Sequence, residues 1–500
     1  MCGVVASYGK NDRSVLAPML EALHHRGPDG EGVLFLGRSG LGHTRLAILD
    51  VEGGRQPITN ESGDLALSFN GEIYNHESIR SQLWGRHRFR TRTDTEVILH
   101  LYEEEANDTF ARLDGMFALA LAGPDGLLIA RDPLGIKPLY YGECEGQFLA
   151  ASEIKALPPM EKINALPAGH FLLAGEKPVP YARSFAATRP VRTPTLREAI
   201  VEVRRRLARS VTKRLMADVP VGVYLSGGLD SSLIASLMRP HLDVLHSFAT
   251  GIEGAPDLKA ARQVAKALGT QHHERIFTPE EVERALPEVV SRLESFDAPL
   301  VRSAVPMFFL SELASSRVKV VLTGEGADEL FAGYSYLREF HQGALKAELA
   351  AIVERLQDTN LQRTDRMTMA HGIEGRVPFL DLSLVRFVAR LPEEFLAASQ
   401  DRPEKWLLRE AGRGLLAPEI LTRSKLKFSE GAGSADLMAN IAAKEITETE
   451  YLRERDLAPG IRLRSREETL YYRLWKKAMG LNADPTLVGR TRDVSAAAET

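Results

Sequence analysis

The sequence predicts two different folds in one chain, an α+β fold in the first half and an α/β fold in the second. Short apolar stretches separated by turns recur through the first half, which is typical of strands. A stretch rich in proline and charge at 177–194 then indicates a linker. From Pro220 onward the signals for strand, loop and helix repeat in that order, which predicts a parallel sheet covered by helices on both faces.

The positions of the individual elements follow from the same patterns. In the first half we expect strands at 65–69, 117–121 and 127–130, with one helix at 96–104. The second half opens with a helix predicted at 196–216. Thr195 just before this helix and Glu198 in its first turn have the spacing of a capping box. Its strands are predicted at 221–225, 245–250, 272–277 and 318–322, and the chain beyond Glu329 is predicted to be mainly helical.

The composition narrows the classes of protein that need consideration. Of the 500 residues, 44% are hydrophobic and 26% are charged, as in ordinary globular proteins. The net charge is −4, so we expect no nucleic-acid partner. Only two cysteines, Cys2 and Cys144, are present, which excludes a disulfide framework and favours the cytoplasm. The first residues are unlike a signal peptide, and the apolar run 116–122 is too short for a membrane span, so no membrane partner is expected.

A glycine-rich loop is predicted where the first strand of the second half gives way to a helix. Residues 226–232 read Ser-Gly-Gly-Leu-Asp-Ser-Ser. The glycines allow a phosphate to approach the backbone closely, and the helix N-terminus supplies N–H donors. The carboxylate of Asp230 suits a magnesium ion bound to phosphate oxygens. The Gly-Lys-Ser/Thr ending of a Walker loop is missing, so this would be a different kind of phosphate loop.

A second loop, Thr-Gly-Glu-Gly-Ala-Asp-Glu at 323–329, follows the strand predicted at 318–322. It therefore leaves the same carboxyl edge of the sheet, where open α/β sheets bind ligands. Glu325 and Asp328 would repel each other and a nearby phosphate unless a cation lay between them, which again indicates magnesium. The alternative is that these acids only cap a helix.

Cys2 is a candidate nucleophile. Removal of the initiator Met would leave a thiol and an α-amine on one residue, and the amine, with a pKa near 8, can act as the local base. The alternative is a minor buried thiol with no chemical role. Four further motifs bear on this choice: 25–29 (His-Arg-Gly-Pro-Asp), 45–49 (Arg-Leu-Ala-Ile-Leu), 70–75 (Asn-Gly-Glu-Ile-Tyr-Asn) and 93–94 (Thr-Asp).

With these motifs and the two loops, the sequence closely resembles the glutamine-hydrolysing asparagine synthetases, from Cys2 to about residue 480. The resemblance implies an N-terminal-nucleophile glutaminase domain with four αββα layers at 1–190. It also implies an ATP-dependent synthetase domain at 195–480, with a doubly wound parallel sheet and a helical C-terminal extension. Residues 481–500 are expected to form a flexible tail. A homodimer that uses glutamine, aspartate, ATP and Mg²⁺ is implied as well.

The resemblance assigns roles in the first half. The Cys2 thiolate would attack the side-chain amide of glutamine, releasing ammonia. Asn70 and the N–H of Gly71 would form the oxyanion hole. Contacts to glutamine would come from Arg45, Leu46, Ala47, Ile48, Leu49, Asn70, Gly71, Glu72 and Asp94.

In the second half, the resemblance implies that ATP and aspartate form β-aspartyl-AMP and pyrophosphate, and that ammonia channelled from the first site displaces AMP. Glu325 and Lys425 would be catalytic, and Asp230 and Asp328 would hold magnesium. ATP would contact Leu225, Ser226, Gly227, Gly228, Asp230, Ser231, Ser232, Thr250, Thr323 and Gly324.

The acceptor is the least constrained part of this interpretation. A related glutamine-dependent amidotransferase acting on another carboxylate, such as a peptide or antibiotic precursor, has the same two-domain plan. β-Lactam synthetases usually lack the N-terminal cysteine that is present here. The chain also departs from the family's common loop at Ala327, where a serine is usual, and so loses one hydroxyl beside the expected phosphates.

Overall fold

The computed structural model describes residues 2–9, 13–182, 192–340, 343–399, 401–424 and 426–492. Within the described part of the first half, strands form two antiparallel six-stranded sheets, in the orders β10-β8-β9-β1-β3-β2 and β12-β11-β7-β6-β5-β4. The strands are β1 (Gly3–Tyr8), β2 (Gly30–Leu36), β3 (Ser39–Arg45), β4 (Ile58–Thr59), β5 (Ala66–Ile73), β6 (Gly115–Gly123), β7 (Gly126–Arg131), β8 (Tyr140–Cys144), β9 (Gln147–Ala151), β10 (Ile163–Ala165), β11 (His170–Leu173) and β12 (Val179–Pro180).

The two sheets pack face to face between helices. Side chains alternate between the faces of a strand, and Val4 of β1 packs with Ala118 of β6 between the sheets, whereas Val5 packs on the outer face with Leu20. Phe69 of β5 lies on the opposite outer face. The helices that cover these outer faces are α1 (Leu16–Leu23), α2 (His76–Leu83), α3 (Glu96–Glu105) and α4 (Thr109–Arg112). The four αββα layers implied by the resemblance are confirmed.

The second half contains a parallel five-stranded sheet in the order β15-β14-β13-β16-β17. Val223 packs against the helices of one face and the neighbouring Tyr224 against those of the other, so the sheet is doubly wound, as predicted. The strands are β13 (Val221–Tyr224), β14 (His246–Gly251), β15 (Gln271–Ile276), β16 (Val320–Leu322) and β17 (Glu374–Arg376), and the helices are α5 (Leu196–Lys213), α6 (Leu229–Met238), α7 (Pro256–Leu268), α8 (Pro279–Leu293), α9 (Ala298–Ser315) and α10 (Ala327–Leu330).

The strand order places both predicted loops at the point where the chain reverses direction across the sheet. β13 and β16 are neighbours, although the chain visits β14 and β15 between them. The loop at 226–232 follows β13 and the loop at 323–329 follows β16. Both loops therefore lie at the crevice where such sheets bind ligands. The capping box of Thr195 and Glu198 is formed as predicted.

The C-terminal region is mainly helical, as predicted, but it also contains a strand that the sequence analysis missed. β17 joins the edge of the parallel sheet beside β16. The remaining elements are α11 (Ala344–Arg355), α12 (Asn360–Met369), α13 (Leu382–Arg390), α14 (Trp406–Gly412), α15 (Pro418–Thr422), α16 (Phe428–Gly431), α17 (Ala435–Glu445), α18 (Glu448–Glu454), α19 (Arg466–Met479) and a short hairpin of β18 (Asp456–Ala458) and β19 (Ile461–Arg462). None of the helices among the described residues is long and apolar enough to cross a membrane.

The segment expected to be a flexible tail makes specific contacts in its described part, 481–492. The amide of Asn482 donates to the carbonyl of Leu157 at 2.8 Å. Arg490 Nη2 lies 2.6 Å from Glu468 Oε2, and the hydroxyl of Thr491 donates to Asp297 at 2.8 Å. Residues 493–500 lie outside the described residues.

Candidate active sites

Cys2 lies just before β1 and is buried between the two sheets of the first half. Its backbone N donates to Oδ1 of Asn70 at 3.0 Å. The thiol Sγ lies 4.0 Å from the carbonyl oxygen of Leu46. Burial raises the pKa of the Cys2 thiol, and the contact with Leu46 lowers it by a smaller amount. A thiol held in this way needs a nearby base before it can act as a nucleophile.

Asn70 and Gly71 lie on β5 next to Cys2. Nδ2 of Asn70 is buried without a hydrogen-bond partner among the described residues. A buried donor of this kind, beside a thiol, can stabilise an oxyanion formed there. Gly71 has φ 156°, and a Cβ at this position would lie 2.0 Å from the carbonyl oxygen of Met116 on β6. Only glycine fits here, which keeps the backbone of β5 close to its neighbour.

Arg45 and the segment after it form one wall beside Cys2. The Arg45 guanidinium donates to the carbonyls of Val51 at 2.7 Å and Asp50 at 2.8 Å, so it is held by its own loop. The N–H of Ala47 donates to Asp29 at 2.7 Å. In this wall, Leu46, Ala47 and Ile48 are buried and Leu49 is half-buried.

Two buried acids complete the predicted set in the first half. Glu72 lies on β5 with Oε2 unpartnered among the described residues, and burial raises the pKa of Glu72 well above its ordinary value. Asp94 Oδ2 accepts from the N–H of Ile73 at 2.7 Å. Burial raises the pKa of Asp94 to about 6, against the opposing effect of that hydrogen bond. Glu72 therefore offers an uncommitted acceptor oxygen for a cation, and Asp94 adds a second buried carboxylate that acts on it electrostatically.

In the second half, the loop at 226–232 is held in a fixed shape by its own side chains. The N–H of Ser226 donates to Oγ of Ser231 at 3.2 Å. Gly227 has φ 70°, and a Cβ there would lie 2.4 Å from the backbone of Ala260 on α7. Oγ of Ser232 is buried without a hydrogen-bond partner among the described residues. The backbone donors at the N-terminus of α6 make this loop suitable for a phosphate.

A cavity of about 990 Å³ opens above the two loops. Thr250 on its wall is oriented by a hydrogen bond from its hydroxyl to the carbonyl of Arg275 at 2.8 Å. Gly227 and Ser232 lie outside the lining and support the loop from behind. The predicted residues that line the cavity are Leu225, Ser226, Gly228, Asp230, Ser231, Thr250, Thr323, Gly324, Glu325 and Asp328.

Lys405, which sequence reasoning missed, joins the two acids predicted to hold magnesium. Its Nζ lies 2.5 Å from Oδ2 of Asp230 and 2.7 Å from Oδ1 of Asp328. The side chain is only 3% exposed. The two carboxylates thus converge on one position of positive charge. Oδ1 of Asp230 is buried without a hydrogen-bond partner among the described residues, and carboxylate oxygens are what Mg²⁺ prefers, so the pair fits that cation.

Two arginines near the cavity were also missed. Arg363 of α12 forms an ion pair with Glu325, whose Oε2 also accepts from Thr364 at 3.3 Å. Arg423 donates to the carbonyl of Ser226 at 3.1 Å and so holds the phosphate loop from its outer side. Arg423 lies two residues before the predicted Lys425, so that segment carried the available signal, whereas no local pattern marks Arg363. The predicted catalytic Lys425 lies outside the described residues.

Buried ion pairs connect the two sites. Nε of Arg26 donates to the carbonyl of Cys2 at 3.1 Å, and its Nη2 lies 3.1 Å from Asp365 of α12. Arg366, the next residue, lies 2.7 Å from Glu294 and 3.1 Å from Glu153. Consecutive residues of helix α12 therefore serve both sites: Arg363 and Thr364 contact Glu325 of the cavity, and Asp365 contacts Arg26, which donates to Cys2.

Comparisons with known proteins give matches over both halves. The family described as a glutamine amidotransferase domain matches residues 1–187, and the family described as asparagine synthase matches 202–351 and 339–479. The chain is 38% identical over 512 residues to the glutamine-hydrolysing asparagine synthetase 2 of Lotus japonicus, covering 95% of this chain and 85% of that protein. It is 38% identical over 519 residues to asparagine synthetase 3 of Arabidopsis thaliana, covering 95% and 87%. Asparagine synthetase 1 of the same plant is 39% identical over 471 residues, covering 87% and 78%.

Proposed function

The chain belongs to the family of glutamine-hydrolysing asparagine synthetases, and from that premise we propose how its own residues carry out the two half-reactions. The overall activity is the ATP-dependent synthesis of asparagine from aspartate and glutamine. An acceptor other than aspartate is not favoured, because the identity to these enzymes extends over 95% of the chain.

The first half-reaction takes place at Cys2. Once Met1 is removed, the α-amine of Cys2 takes the thiol proton, and the thiolate attacks the side-chain amide carbon of glutamine. Nδ2 of Asn70 and the N–H of Gly71 stabilise the oxyanion, the C–N bond breaks and ammonia leaves with the proton. Water then hydrolyses the γ-glutamyl thioester to glutamate and restores the thiol. The observation that carries this assignment is the unpartnered Nδ2 of Asn70, whose Oδ1 already accepts from Cys2.

Glutamine is held by charge at its amino-acid end. The Arg45 guanidinium forms a bidentate pair with the α-carboxylate. In doing so it gives up its hydrogen bonds to the backbone carbonyls of Val51 and Asp50. Glu72 binds the α-ammonium with its free Oε2, and Asp94 supplies a second carboxylate. The segment of Leu46, Ala47, Ile48 and Leu49 lies along the substrate.

The second half-reaction takes place in the cavity above the parallel sheet. The loop at 226–232 binds the β- and γ-phosphates of ATP, and the adenosine part lies against Leu225, Thr250, Thr323 and Gly324. Asp230 and Asp328 would hold Mg²⁺, which supplies positive charge to the phosphate oxygens when bound. The aspartate side-chain carboxylate attacks the α-phosphorus, pyrophosphate leaves, and ammonia then displaces AMP from the acyl carbon. Glu325 accepts a proton from the attacking ammonia, and Lys425 neutralises charge on the α-phosphate.

We propose that ammonia passes internally between the sites, and that the protein is a homodimer in the cytoplasm. The buried contacts that connect the two halves through Arg26 and Asp365 support an internal passage, because they hold the two sites in a fixed relation. Family resemblance supports the homodimer, and the free thiols of Cys2 and Cys144 agree with a reducing compartment. Light scattering should give twice the mass of the chain, and a monomer would contradict the homodimer.

Product analysis tests the proposed reaction. Incubation with glutamine, aspartate and Mg-ATP should yield asparagine, glutamate, AMP and pyrophosphate. Glutamine labelled with ¹⁵N in the side-chain amide should transfer the label to asparagine even when unlabelled ammonium is present in the buffer. Formation of ADP would contradict the adenylate intermediate, and loss of the label to the buffer would contradict internal passage.

A further inference from the structure

A cluster of metal-ligating side chains lies in the first half, outside both sites described above. It consists of Glu61, His87, His100 and Glu103, which we call the His–Glu cluster. Each residue offers one nitrogen or oxygen atom, and all four atoms lie within 4.8 Å of one another. They come from three separate segments: Glu61 lies between β4 and β5, His87 follows α2, and the other two belong to α3. Two imidazoles and two carboxylates form a set that binds zinc in proteins.

The distances within the His–Glu cluster agree with a tetrahedral site. Nδ1 of His100 lies 2.9 Å from Glu103 and 3.3 Å from Glu61, and Nδ1 of His87 lies 3.5 Å from Glu103 and 3.7 Å from Glu61. Ligand atoms about 2.1 Å from a zinc ion at tetrahedral angles are about 3.4 Å apart. The four nitrogen–oxygen distances lie on both sides of that value, and the two to Glu61 run to different oxygens of its carboxylate. The two imidazole rings are stacked with their centroids 4.6 Å apart, so one ring must turn for both Nδ1 atoms to face the ion.

The surroundings of the cluster share two features with known zinc sites, an oriented imidazole and an oriented carboxylate. The ring nitrogen that would face away from the metal usually meets a carboxylate or carbonyl, which fixes the orientation of the ring. Nε2 of His87 lies 3.0 Å from Glu104 and follows this pattern, whereas Nε2 of His100, 3.7 Å from Glu96, is buried without a hydrogen-bond partner among the described residues. The carboxylate of Glu103 is itself oriented, because its Oε1 accepts from the amide of Asn60 at 2.8 Å. His100 is 1% exposed and is therefore held rigidly.

The charge of this region also favours a cation. Glu61, Glu96, Glu103 and Glu104 surround the two imidazoles, and Arg86, whose Nη1 lies 2.5 Å from Glu104, offsets one of the four carboxylates. Arg80 interacts electrostatically with Glu96, so Glu61 and Glu103 are left around His87 and His100. A divalent cation with a preference for nitrogen as well as oxygen ligands would neutralise this surplus, whereas Mg²⁺ and Ca²⁺ prefer oxygen alone.

We propose that the His–Glu cluster is a structural binding site for zinc or a chemically similar divalent transition-metal ion. The metal would tie Glu61 and the segment after α2 to helix α3. That segment leads directly to Asp94, so the bound ion would restrain the chain on which one of the glutamine-site acids is held. The proposal concerns the metal alone and does not depend on the reaction assigned to either site.

The test uses the whole protein and Zn²⁺ as the probe. Chelator-treated protein is titrated with Zn²⁺ in excess Mg²⁺, which occupies oxygen-only sites, and the bound metal is counted after dialysis. We expect about one equivalent in the wild type and binding weakened at least about tenfold in Glu61→Gln and His100→Ala. His241→Ala, which removes an exposed histidine of the second half, is the matched control and should bind zinc as the wild type does.

Two further readouts make the result decisive. Co²⁺ in place of Zn²⁺ should give the strong visible absorption of a tetrahedral ion, and Zn²⁺ should raise the melting temperature of the wild type but not of Glu61→Gln. If His100→Ala fails to fold, the partly exposed Glu61 still decides the question. A wild type that retains no zinc, or Glu61→Gln that binds it unchanged, would overturn the proposal.

Discussion

The guanidinium of Arg376 lies 3.1 Å from the carboxylate of Glu72, although Arg376 belongs to the parallel sheet and Glu72 to an antiparallel sheet of the first half. Nε of Arg376 also lies 2.5 Å from Glu374, and all three side chains are buried. The second half therefore supplies positive charge to Glu72, one of the acids of the proposed glutamine site. Because a buried carboxylate without a partner is costly, neither half keeps this arrangement without the other.

Replacement of Arg376 by methionine should destabilise the protein strongly. It would remove the guanidinium that pairs with both buried acids, Glu72 and Glu374, and breaking a buried ion pair costs about 3–5 kcal/mol in comparable cases. Urea unfolding measures this loss. Arg413→Met removes an arginine whose side chain is 71% exposed and paired with Glu410, and should cost less than about 1 kcal/mol. Equal losses in the free energy of unfolding for the two variants would show that the buried ion pair contributes no more than the exposed one.

Much of the fold and of both sites could be predicted because the relevant residues lie in short continuous motifs. Each phosphate-loop residue follows β13 within a few positions, so a strand-to-helix transition is enough to locate it. The same holds for Asn70, Gly71 and Glu72, which are consecutive on β5. The structure shows that these residues lie close together, and the roles given to them are proposals.

The residues that were missed act through long-range contacts. β17 has only three residues, including Gly375 between two charged neighbours, and its sequence does not resemble a buried strand. It forms because β16 offers backbone groups for pairing at the edge of the sheet, where Leu322 pairs with Arg376. Arg376 also forms buried ion pairs with Glu72 and Glu374. The role of Lys405 likewise depends on its ion pairs with Asp230 and Asp328, which are distant in sequence and are not connected to it by any local pattern.

Replacement of Cys2 by alanine should separate the two half-reactions. Glutamine-dependent synthesis should be lost, because no other thiol lies near Asn70 among the described residues, while synthesis from added ammonia should continue. Both rates are measured as asparagine formed. Cys144→Ala is the control, since Cys144 lies at the end of β8 and should be dispensable for either reaction. Loss of both activities in Cys2→Ala would contradict the division of labour between the halves.

Gly227 and Gly254 form a matched pair for testing the phosphate loop. Both have positive φ, 70° and 78°, so alanine is strained at either position by about 1–2 kcal/mol. At Gly227 a Cβ would also strike Ala260 at 2.4 Å, whereas at Gly254 nothing lies within 4 Å. We expect Gly227→Ala to weaken ATP binding at least about fivefold, since about 1 kcal/mol or more of clash displaces the loop. Similar ATP affinities in Gly227→Ala and Gly254→Ala would show that the close approach to α7 is unimportant.

Lys405→Met should impair the synthetase reaction and spare glutamine hydrolysis. Without the ammonium group, Asp230 and Asp328 face each other across the position that Lys405 now neutralises. Pyrophosphate release with ammonia as the nitrogen source should fall by about a hundredfold or more, the usual scale for a lost preorganised charge. Lys444→Met, in which a 73% exposed lysine is removed, should leave the rate unchanged. If Lys405→Met releases pyrophosphate at the wild-type rate, the lysine has a structural role only.

The affinity for glutamine should depend on pH through Asp94. Burial raises the pKa of Asp94 to about 6, so in the free protein this carboxyl becomes protonated as the pH falls through that value. The α-ammonium of glutamine requires the ionised form, and binding must then release a proton; affinity should therefore fall by up to about tenfold for each pH unit below 6. Calorimetry on Cys2→Ala, which binds glutamine without hydrolysing it, measures the affinity free of the thiol's own titration. Asp94→Asn in the same background should bind weakly at every pH. A constant affinity from about pH 7 to about pH 5 would mean that Asp94 does not contact the ammonium group.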